Sequence, residues 1–556
     1  MHAVDPVVEI LSVPSLRDQL WRRFAEQPRL PALHVHDPHA RDGGRWLTYE
    51  QLGRAVNRTA HAFAAAGVAP GMRVGVMLPN RELFVCVWLA LVALNATMVP
   101  VNPDLVGAGL GHIVLHADLD LLLLSAARLE RVRDACDGAR PARRILAVDL
   151  TSHPRPPRQA ADGVEDFGAL LDAAPETPPP RVPVDPADLA LIIYTSGTTG
   201  PAKGVMLSRL AQLWHGLNYL RDFIQLGPGE VGYTPLPLFH VSAQGFTLGC
   251  LLGGAAVAVD SRFHPFSFSD IVRRHRAKAF NYVGAMIPLL AARPPRPDDA
   301  DNPAERAVGS ATLPELHESF ERRFGLRLIE SYGQTELAGL WLTDPPDGRR
   351  IGTVGRPRRW LEAAILRDDG TAAAAGETGE IALRPAHPLL MTHGYFRDPA
   401  TTAHAFRGGW YHTGDAGARD ADGYVRFRGR LKDFIRRRGE NISAFEIERA
   451  ALTHPAVREA AAVGVPSSLG EEEIKLCVIL RDGARAGPAD LDRHLRRRLA
   501  RFMRPRYIEI RTDFPRTPTQ RVQKFKLREE GVRAGVWERR SGGGRQRRVV
   551  EPGDGR

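Results

Sequence analysis

Cysteine is scarce in this 556-residue chain: four residues, Cys86, Cys136, Cys250 and Cys477, lie far apart and form no C-x-x-C pair. That excludes a disulfide framework and a zinc site built on paired thiols, and it suits a reducing compartment. A membrane-spanning run is also missing. The longest apolar stretch, LFVCVWLALVAL at residues 83–94, is about a dozen residues against the ~20 that a bilayer needs, so it reads as a buried helix. The opening residues, MHAVDPVVEILSVPSL, lack the basic start and apolar core of a secretory signal, and a cytoplasmic location is expected. Aromatic residues are absent from the basic end, RRSGGGRQRRVVEPGDGR. The net charge is +11, and eleven Lys/Arg against five Asp/Glu from Gln520 onward account for +6 of it. With no ring there to stack on bases, nucleic acid is not expected as a partner, and the Gly/Arg composition predicts a disordered tail.

What is present is ordinary globular composition, 44% hydrophobic and 25% charged, in a chain too long for one core. Two or more domains are expected. Residues 47–68 carry apolar side chains at helical spacing. RVGVMLPN then reads as a strand, residues 83–94 as the buried helix, and ATMVPVNP as a second strand. This alternation predicts a parallel sheet with crossover helices. A Pro-rich stretch (HPRPPRQAADG, PETPPPRVPVDPAD) precedes the apolar strand LALII, and strand–helix alternation resumes to about Leu340. A Gly-rich, β-like region follows, roughly 351–430, and then a small α+β unit. The fold class is α/β: a large N-terminal domain of parallel-sheet subdomains with a β-rich subdomain, then a small mobile α+β domain. The expected boundaries are 1–429, a hinge at 430–432, a C-terminal domain at 433–530 and a tail at 531–556.

Directly behind the LALII strand comes YTSGTTGPAKGV, residues 194–205. Small hydroxylated residues and glycines let a backbone approach a bulky ligand, successive N–H groups make an anion-binding concavity, and a lysine adds a flexible positive charge. A nucleotide-phosphate loop is the reading, although not of the G-x-x-x-x-G-K-[ST] type: five residues after Gly197 stands Ala202, and five after Gly200 stands Val205.

Three further stretches matter in combination: ESYGQTE at 330–336, which sets an aromatic, a glycine, a hydroxyl and a carboxylate side by side; YHTGD at 411–415; and the basic GRLKDFIRRRGENI at 429–442. In this order and spacing they resemble the adenylate-forming superfamily of acyl-CoA synthetases, luciferases and peptide-synthetase adenylation domains, from about Leu47 to Lys526. FNYVGAMIPLL, PLFHVSAQ and RRRGENISAFEIE are most similar to the crotonobetaine/carnitine-CoA ligase-like branch.

The resemblance implies an acid–thiol ligase in which a carboxylate attacks the α-phosphate of ATP and the acyl-adenylate then meets a thiol. It implies that Thr195, Ser196, Gly197, Thr198, Thr199, Gly200 and Lys203 hold the β- and γ-phosphates. Tyr332, between Ser331 and Gly333, would stack on adenine, and Thr335 would contact the α-phosphate. Glu336 would hold Mg²⁺, Asp415 and Arg430 the ribose. His240, Gly284 and Ser331 would border the acyl pocket, Lys432 would be the pivot of the small domain, and Gly439 would line the CoA tunnel. ATP, Mg²⁺, coenzyme A and a small carboxylic acid are the implied cofactor and substrates.

Two positions depart from the family pattern. Its catalytic lysine lies in P-x-T-x-x-G-K-[IV]-x-K, where this chain reads PRTPTQRVQK, with Gln520 for glycine and Arg521 for lysine. Arginine keeps the charge but is planar and longer; Lys524 and Lys526 are near but out of register. Ser331 stands where many relatives have glycine, which predicts a shortened pocket and a short or compact polar acid. Free CoA is the expected acceptor, because no carrier domain with a D-S-L-type serine follows. A separate carrier protein, or a degenerate relative that only binds nucleotide or acyl ligand, remains an alternative, and the oligomeric state is open.

Overall fold

Capped helices alternate with apolar strands through the first half of the chain. The computed structural model describes residues 11–35, 44–150, 163–195, 201–284, 286–344, 348–358, 360–437, 440–466, 472–516 and 521–539. Thr48 opens the helix Tyr49–Ala65 with a capping box: its hydroxyl accepts from the Gln51 amide, and the Gln51 side chain accepts from the Thr48 amide. The helix Glu82–Ala93 is apolar all round and buried from Phe84 onward, as an unbroken apolar run must be. It connects the parallel strands Arg73–Met77 and Thr97–Pro100, so it is a crossover helix of the expected kind.

Among the described residues, seven strands form one sheet in the order Val164–Asp166, Ala142–Val148, Leu119–Ser125, Arg73–Met77, Thr97–Pro100, Leu189–Thr195, Lys203–Ser208. Every pairing is parallel except the last. A second, nine-stranded sheet runs Arg356–Pro357, Gly339–Thr343, Arg327–Gln334, Arg306–Gly309, Ala279–Asn281, Val231–Thr234, Ala256–Val259, Pro31–Val35, Trp46–Thr48, parallel through its centre. Buried Asn80, after Arg73–Met77, ties the two: its Nδ2 donates to the carbonyls of Leu236 and Asp260 (3.0 and 2.9 Å), and its Oδ1 accepts from the Leu238 amide (2.8 Å). The Gly-rich region is β-rich as expected, built on the strands Leu361–Leu366, Thr378–Pro385 and Trp410–Arg419.

The chain divides into two compact units, Met1–Thr413 with Gly417–Phe427, and Gly414–Ala416 with Arg428–Arg556. The division falls inside the strand Val425–Arg430. The second unit packs the helices Ala444–Leu452 and Pro488–Arg496 on a sheet ordered Val457–Pro466, Glu472–Leu480, Tyr507–Arg511, Trp537–Glu538, around Ile447, Leu476, Val478, Leu491 and Ile508. Its last strand corrects the expected start of the tail at 531. Trp537 packs on that core and pairs with Ile508, and Glu538 meets Arg506 at 2.8 Å; the surrounding Arg and Gly composition masks these two residues in the sequence. Residues 540–556 lie outside the described residues. All four cysteines are free and buried, and no helix among the described residues is long and apolar enough to cross a membrane.

Close packing at the carboxyl edge of the large sheet gives a first prediction. A Cβ at Gly309 would fall 2.3 Å from the Tyr282 carbonyl oxygen, whereas one at Gly109, in the helix Gly107–His116, would meet nothing within 4 Å. Gly309→Ala should cost about 1–3 kcal/mol in thermal unfolding. Gly109→Ala should be neutral or stabilising by up to ~1 kcal/mol.

Candidate active site

The strands Leu189–Thr195 and Lys203–Ser208 form a hairpin with Thr195 opposite Lys203. The expected phosphate loop spans them; Ser196, Gly197, Thr198, Thr199 and Gly200 lie outside the described residues. Residues 391–396 are stitched along the second strand. The Met206 amide donates to the Gly394 carbonyl (3.1 Å), the His393 amide to the Met206 carbonyl (2.9 Å), and the Phe396 amide to the Gly204 carbonyl (2.7 Å). Gly394 has φ +116°, and a Cβ there would meet Thr402 Cγ2 at 2.4 Å, so this position requires glycine.

The same segment reaches the large sheet. The Thr392 amide donates to the Glu336 carbonyl at 2.7 Å, and the Tyr395 hydroxyl donates to Glu336 Oε1 at 3.0 Å. Lys203 Nζ lies 5.3 Å from the centre of the Tyr395 ring, a cation–π distance. Lys203, Tyr395 and Glu336 therefore share one corner, with an ammonium over the ring and a carboxylate at the hydroxyl of one phenol.

Strand Arg327–Gln334 carries the aromatic motif, and Thr335 and Glu336 begin the short 3-10 turn Thr335–Leu337. Tyr332 is buried beside Phe427, ring centres 6.1 Å apart, and its hydroxyl accepts from Gln334 Nε2 at 3.3 Å. Gln334 also donates to the Thr413 carbonyl (3.0 Å) and accepts from the Tyr411 hydroxyl (2.9 Å). Burial first, and the Glu336 charge second, push the Tyr411 phenol well above its ordinary range, so it stays a donor. Ser331 is buried, and its Oγ donates to the Gly309 carbonyl of the neighbouring strand at 2.6 Å. That hydroxyl is committed to the sheet.

Neighbouring parallel strands end here together, where open α/β sheets bind ligands. His240 follows Val231–Thr234 and opens the helix Val241–Gly253, its ring 4.6 Å from that of Phe239. Gly284 follows Ala279–Asn281, and a Cβ on it would meet Ala311 Cβ at 3.2 Å. Among the described residues no group of three or more metal-ligating side chains occurs. A single half-buried carboxylate, Glu336, suits a cation such as Mg²⁺ that takes one or two protein oxygens and fills its remaining positions with water and phosphate.

The second unit holds Asp415, Arg430, Lys432 and Arg521. Asp415 is buried, and Arg430 Nε meets its Oδ1 at 2.9 Å. Lys432 sits in the turn Leu431–Asp433, and Arg521 is exposed. Lys524 is held between Glu448 Oε1 (2.8 Å) and Asp433 Oδ2 (3.2 Å). Burial works to lower its pKa, but the two carboxylates outweigh burial and hold it above its ordinary value. An ammonium so engaged by two carboxylates is not available as a substitute catalytic cation. Gly439 lies outside the described residues.

Residues 20–396 match the family model of the AMP-binding enzyme, and residues 446–521 that of the AMP-binding enzyme C-terminal domain. The chain belongs to the AMP-binding, adenylate-forming enzyme family. Within this family it is 36% identical over 494 residues to the sulfoacetate–CoA ligase of Cupriavidus necator, covering 87% of this chain and 93% of that protein. It is 31% identical over 489 residues to the crotonobetaine/carnitine–CoA ligase of Salmonella agona, with the same coverage of 87% and 93%. Its fold is that of the anthranilate CoA ligase AuaEII, solved in complex with anthranoyl-AMP: TM-score 0.82 at 22% identity, covering 94% of this chain and 98% of that one.

Sequence reasoning missed Tyr395, Tyr411 and Glu330. Tyr395 lies far along the chain from the motif it touches, with only a neighbouring glycine to hint at a tight approach, and Tyr411 opens YHTGD with no sign of its bond to Gln334. Glu330 opens the quoted motif, yet nothing in its spacing betrays its surroundings. It is buried, Tyr282 donates to its Oε2 at 3.1 Å and the Thr312 amide to its Oε1 at 3.3 Å. Burial raises its pKa from 4.5 to about 7, with the hydrogen bonds from Thr312 and Tyr282 offsetting part of the effect. A carboxyl raised in the fold binds more protons folded than unfolded, so its contribution to stability falls as pH climbs from 4.5 to about 7. Glu330→Gln should therefore unfold like the parent near pH 4.5 and be more stable by about 1–3 kcal/mol above pH 7. Urea unfolding of both proteins across that range measures the difference.

Proposed function

We propose that this AMP-binding enzyme is an ATP-dependent carboxylic acid–CoA ligase that works through an acyl-adenylate and releases AMP and pyrophosphate. The observation that carries the reading is the corner where Lys203, Tyr395 and Glu336 meet the adenine motif. Its support is the identity to two named CoA ligases over most of their length.

A carboxylate is a poor acylating agent; attack on the α-phosphate converts its oxygen into part of a good leaving group. That step gathers charge on phosphate oxygens, which fixed donors and cations stabilise. Thr195 and Lys203 would hold the β- and γ-phosphates, Thr335 the α-phosphate, Tyr332 the adenine, and Asp415 with Arg430 the ribose. Glu336 would hold Mg²⁺, which when bound supplies positive charge against the phosphate oxygens. Tyr395 orients the Glu336 carboxylate through its hydroxyl and faces the Lys203 ammonium with its ring. Arg521 would lie against the reacting carboxylate and α-phosphate in this first step. Thiol attack on the acyl-adenylate then expels AMP, with Lys432 as pivot between the steps.

We place the acid among short carboxylates bearing a second polar group. Ser331 stands where the family resemblance expects glycine, and its side chain is held against the Gly309 carbonyl. In the helix that His240 opens, Ser242 Oγ meets the Tyr219 hydroxyl at 3.0 Å and Thr247 is buried, and the helix Arg209–Asn218 packed on it buries Gln212 and His215. The names of the two CoA-ligase relatives point the same way.

Two measurements test this. Pyrophosphate release with CoA should be fastest with acids of about two to five carbons carrying a polar group. Adding a palmitate-sized chain should lower kcat/KM by at least about tenfold, as overpacking does; a preference for the long chain would overturn the substrate reading. In single-turnover experiments Arg521→Ala should slow adenylate formation about 10²-fold and leave thioester formation from supplied acyl-adenylate nearly unchanged. A mild effect on the first step would remove Arg521 from the mechanism.

A further inference from the structure

Two histidines on the helix Gly107–His116 touch both ends of the loop assigned above to the ATP phosphates. His112 Nε2 lies 2.9 Å from the carbonyl oxygen of Ala202. A carbonyl only accepts, so this nitrogen carries the proton and donates. His116 is one turn on, on the same helix face, with Nδ1 2.7 Å from the Tyr194 hydroxyl. Tyr194 immediately precedes Thr195 and Ala202 immediately precedes Lys203, the two residues that pair across the hairpin. One helix thus grips one side of the loop through a side chain and the other through the main chain.

The groups around His116 favour its neutral form. His112 is its neighbour at 5.2 Å between ring centres, the Phe396 ring meets it edge-on at 6.0 Å, and Arg397 and Asp398 bring opposite charges. Arg397 is itself paired with Asp118 at 2.6 Å, and Asp398 accepts from the Thr401 amide as cap of the helix Pro399–Ala405. Burial, followed by His112 and Arg397, lowers the His116 pKa against the opposing pull of Asp398. Burial likewise keeps the Tyr194 phenol protonated, so the hydroxyl donates to Nδ1. Both imidazoles are only half-buried. A leucine fills such a place as well as an imidazole, so packing alone does not account for two oriented histidines.

We propose that His112 and His116 are positioning residues for the hairpin ends Tyr194–Thr195 and Ala202–Lys203, holding them so that Lys203 meets the β- and γ-phosphates of ATP. This rests on the ATP-binding reading above. It goes beyond that reading in assigning two residues, on a helix outside every recognised motif, to discrimination between a triphosphate and a monophosphate.

The test is calorimetric binding of ATP and of AMP, each with MgCl₂, to the full-length protein and its variants. AMP lacks the phosphates in question, so it serves as an internal control. His112→Leu and His116→Leu should each weaken ATP about five- to tenfold, the size of one lost hydrogen bond, and leave AMP within about twofold. His112→Gln, whose amide can donate to the same carbonyl, should recover most of the loss. Tyr194→Phe should match His116→Leu, and the double variant should be no worse than either single one, because both remove the same contact. Unchanged ATP affinity in the leucine variants would overturn the inference, and so would a parallel fall for ATP and AMP, which marks general damage. A parent protein that binds neither nucleotide would overturn the inference and the functional reading together.

Discussion

The hydrogen bond from Tyr395 to Glu336, and the stitched segment that delivers it, is the constraint on which the site depends. The strand Lys203–Ser208 belongs to one sheet and the strand Arg327–Gln334 to another. Residues 391–396 bond to the first through Gly204 and Met206 and to the second through the Glu336 main chain and side chain. A shift of either sheet breaks bonds on that segment. Gly394 makes the path possible, since its positive φ and its approach to Thr402 leave no room for a side chain. The result is a carboxylate and an ammonium placed around one phenol. Preorganisation of this kind suits a reaction whose difficulty is charge on phosphate oxygens.

Around that corner the protein buries polar groups that it must satisfy. Gln334 spends its amide on Tyr332, Thr413 and Tyr411, and Ser331 spends its hydroxyl on Gly309. Glu330 accepts from Tyr282 and Thr312, and still its carboxyl is pushed toward neutrality. These contacts fix the strand Arg327–Gln334 in its register, and through it the direction of Tyr332. In the second unit the same economy appears as Lys524 between Asp433 and Glu448, which anchors the turn Leu431–Asp433 to the helix Ala444–Leu452.

Much of this architecture is legible in the amino-acid sequence. The periodicity of residues 47–100 predicts the strand–helix–strand order observed, because buried parallel strands and their crossover helix are written as unbroken apolar runs. The motif order at 194–205, 330–336 and 411–415 points to the family. Contacts made across long sequence separation are not legible. Tyr395 is 59 residues from Glu336 and carries no periodic or compositional signal. The raised pKa of Glu330 depends on burial, which the letters of a motif do not record. Trp537 is hidden inside an Arg- and Gly-rich stretch whose average composition reads as disordered. His112 and His116 look like ordinary helix residues until the loop stems are seen against them.

In the acyl-adenylate route an oxygen of the acid passes into AMP. Incubating the protein with ATP, CoA and a short polar acid labelled with oxygen-18 in its carboxylate tests this directly. Attack of the carboxylate on the α-phosphate, followed by thiol attack at the acyl carbon, predicts AMP carrying one labelled oxygen, with pyrophosphate unlabelled. Unlabelled AMP, or ADP with label in inorganic phosphate, would contradict the acyl-adenylate route.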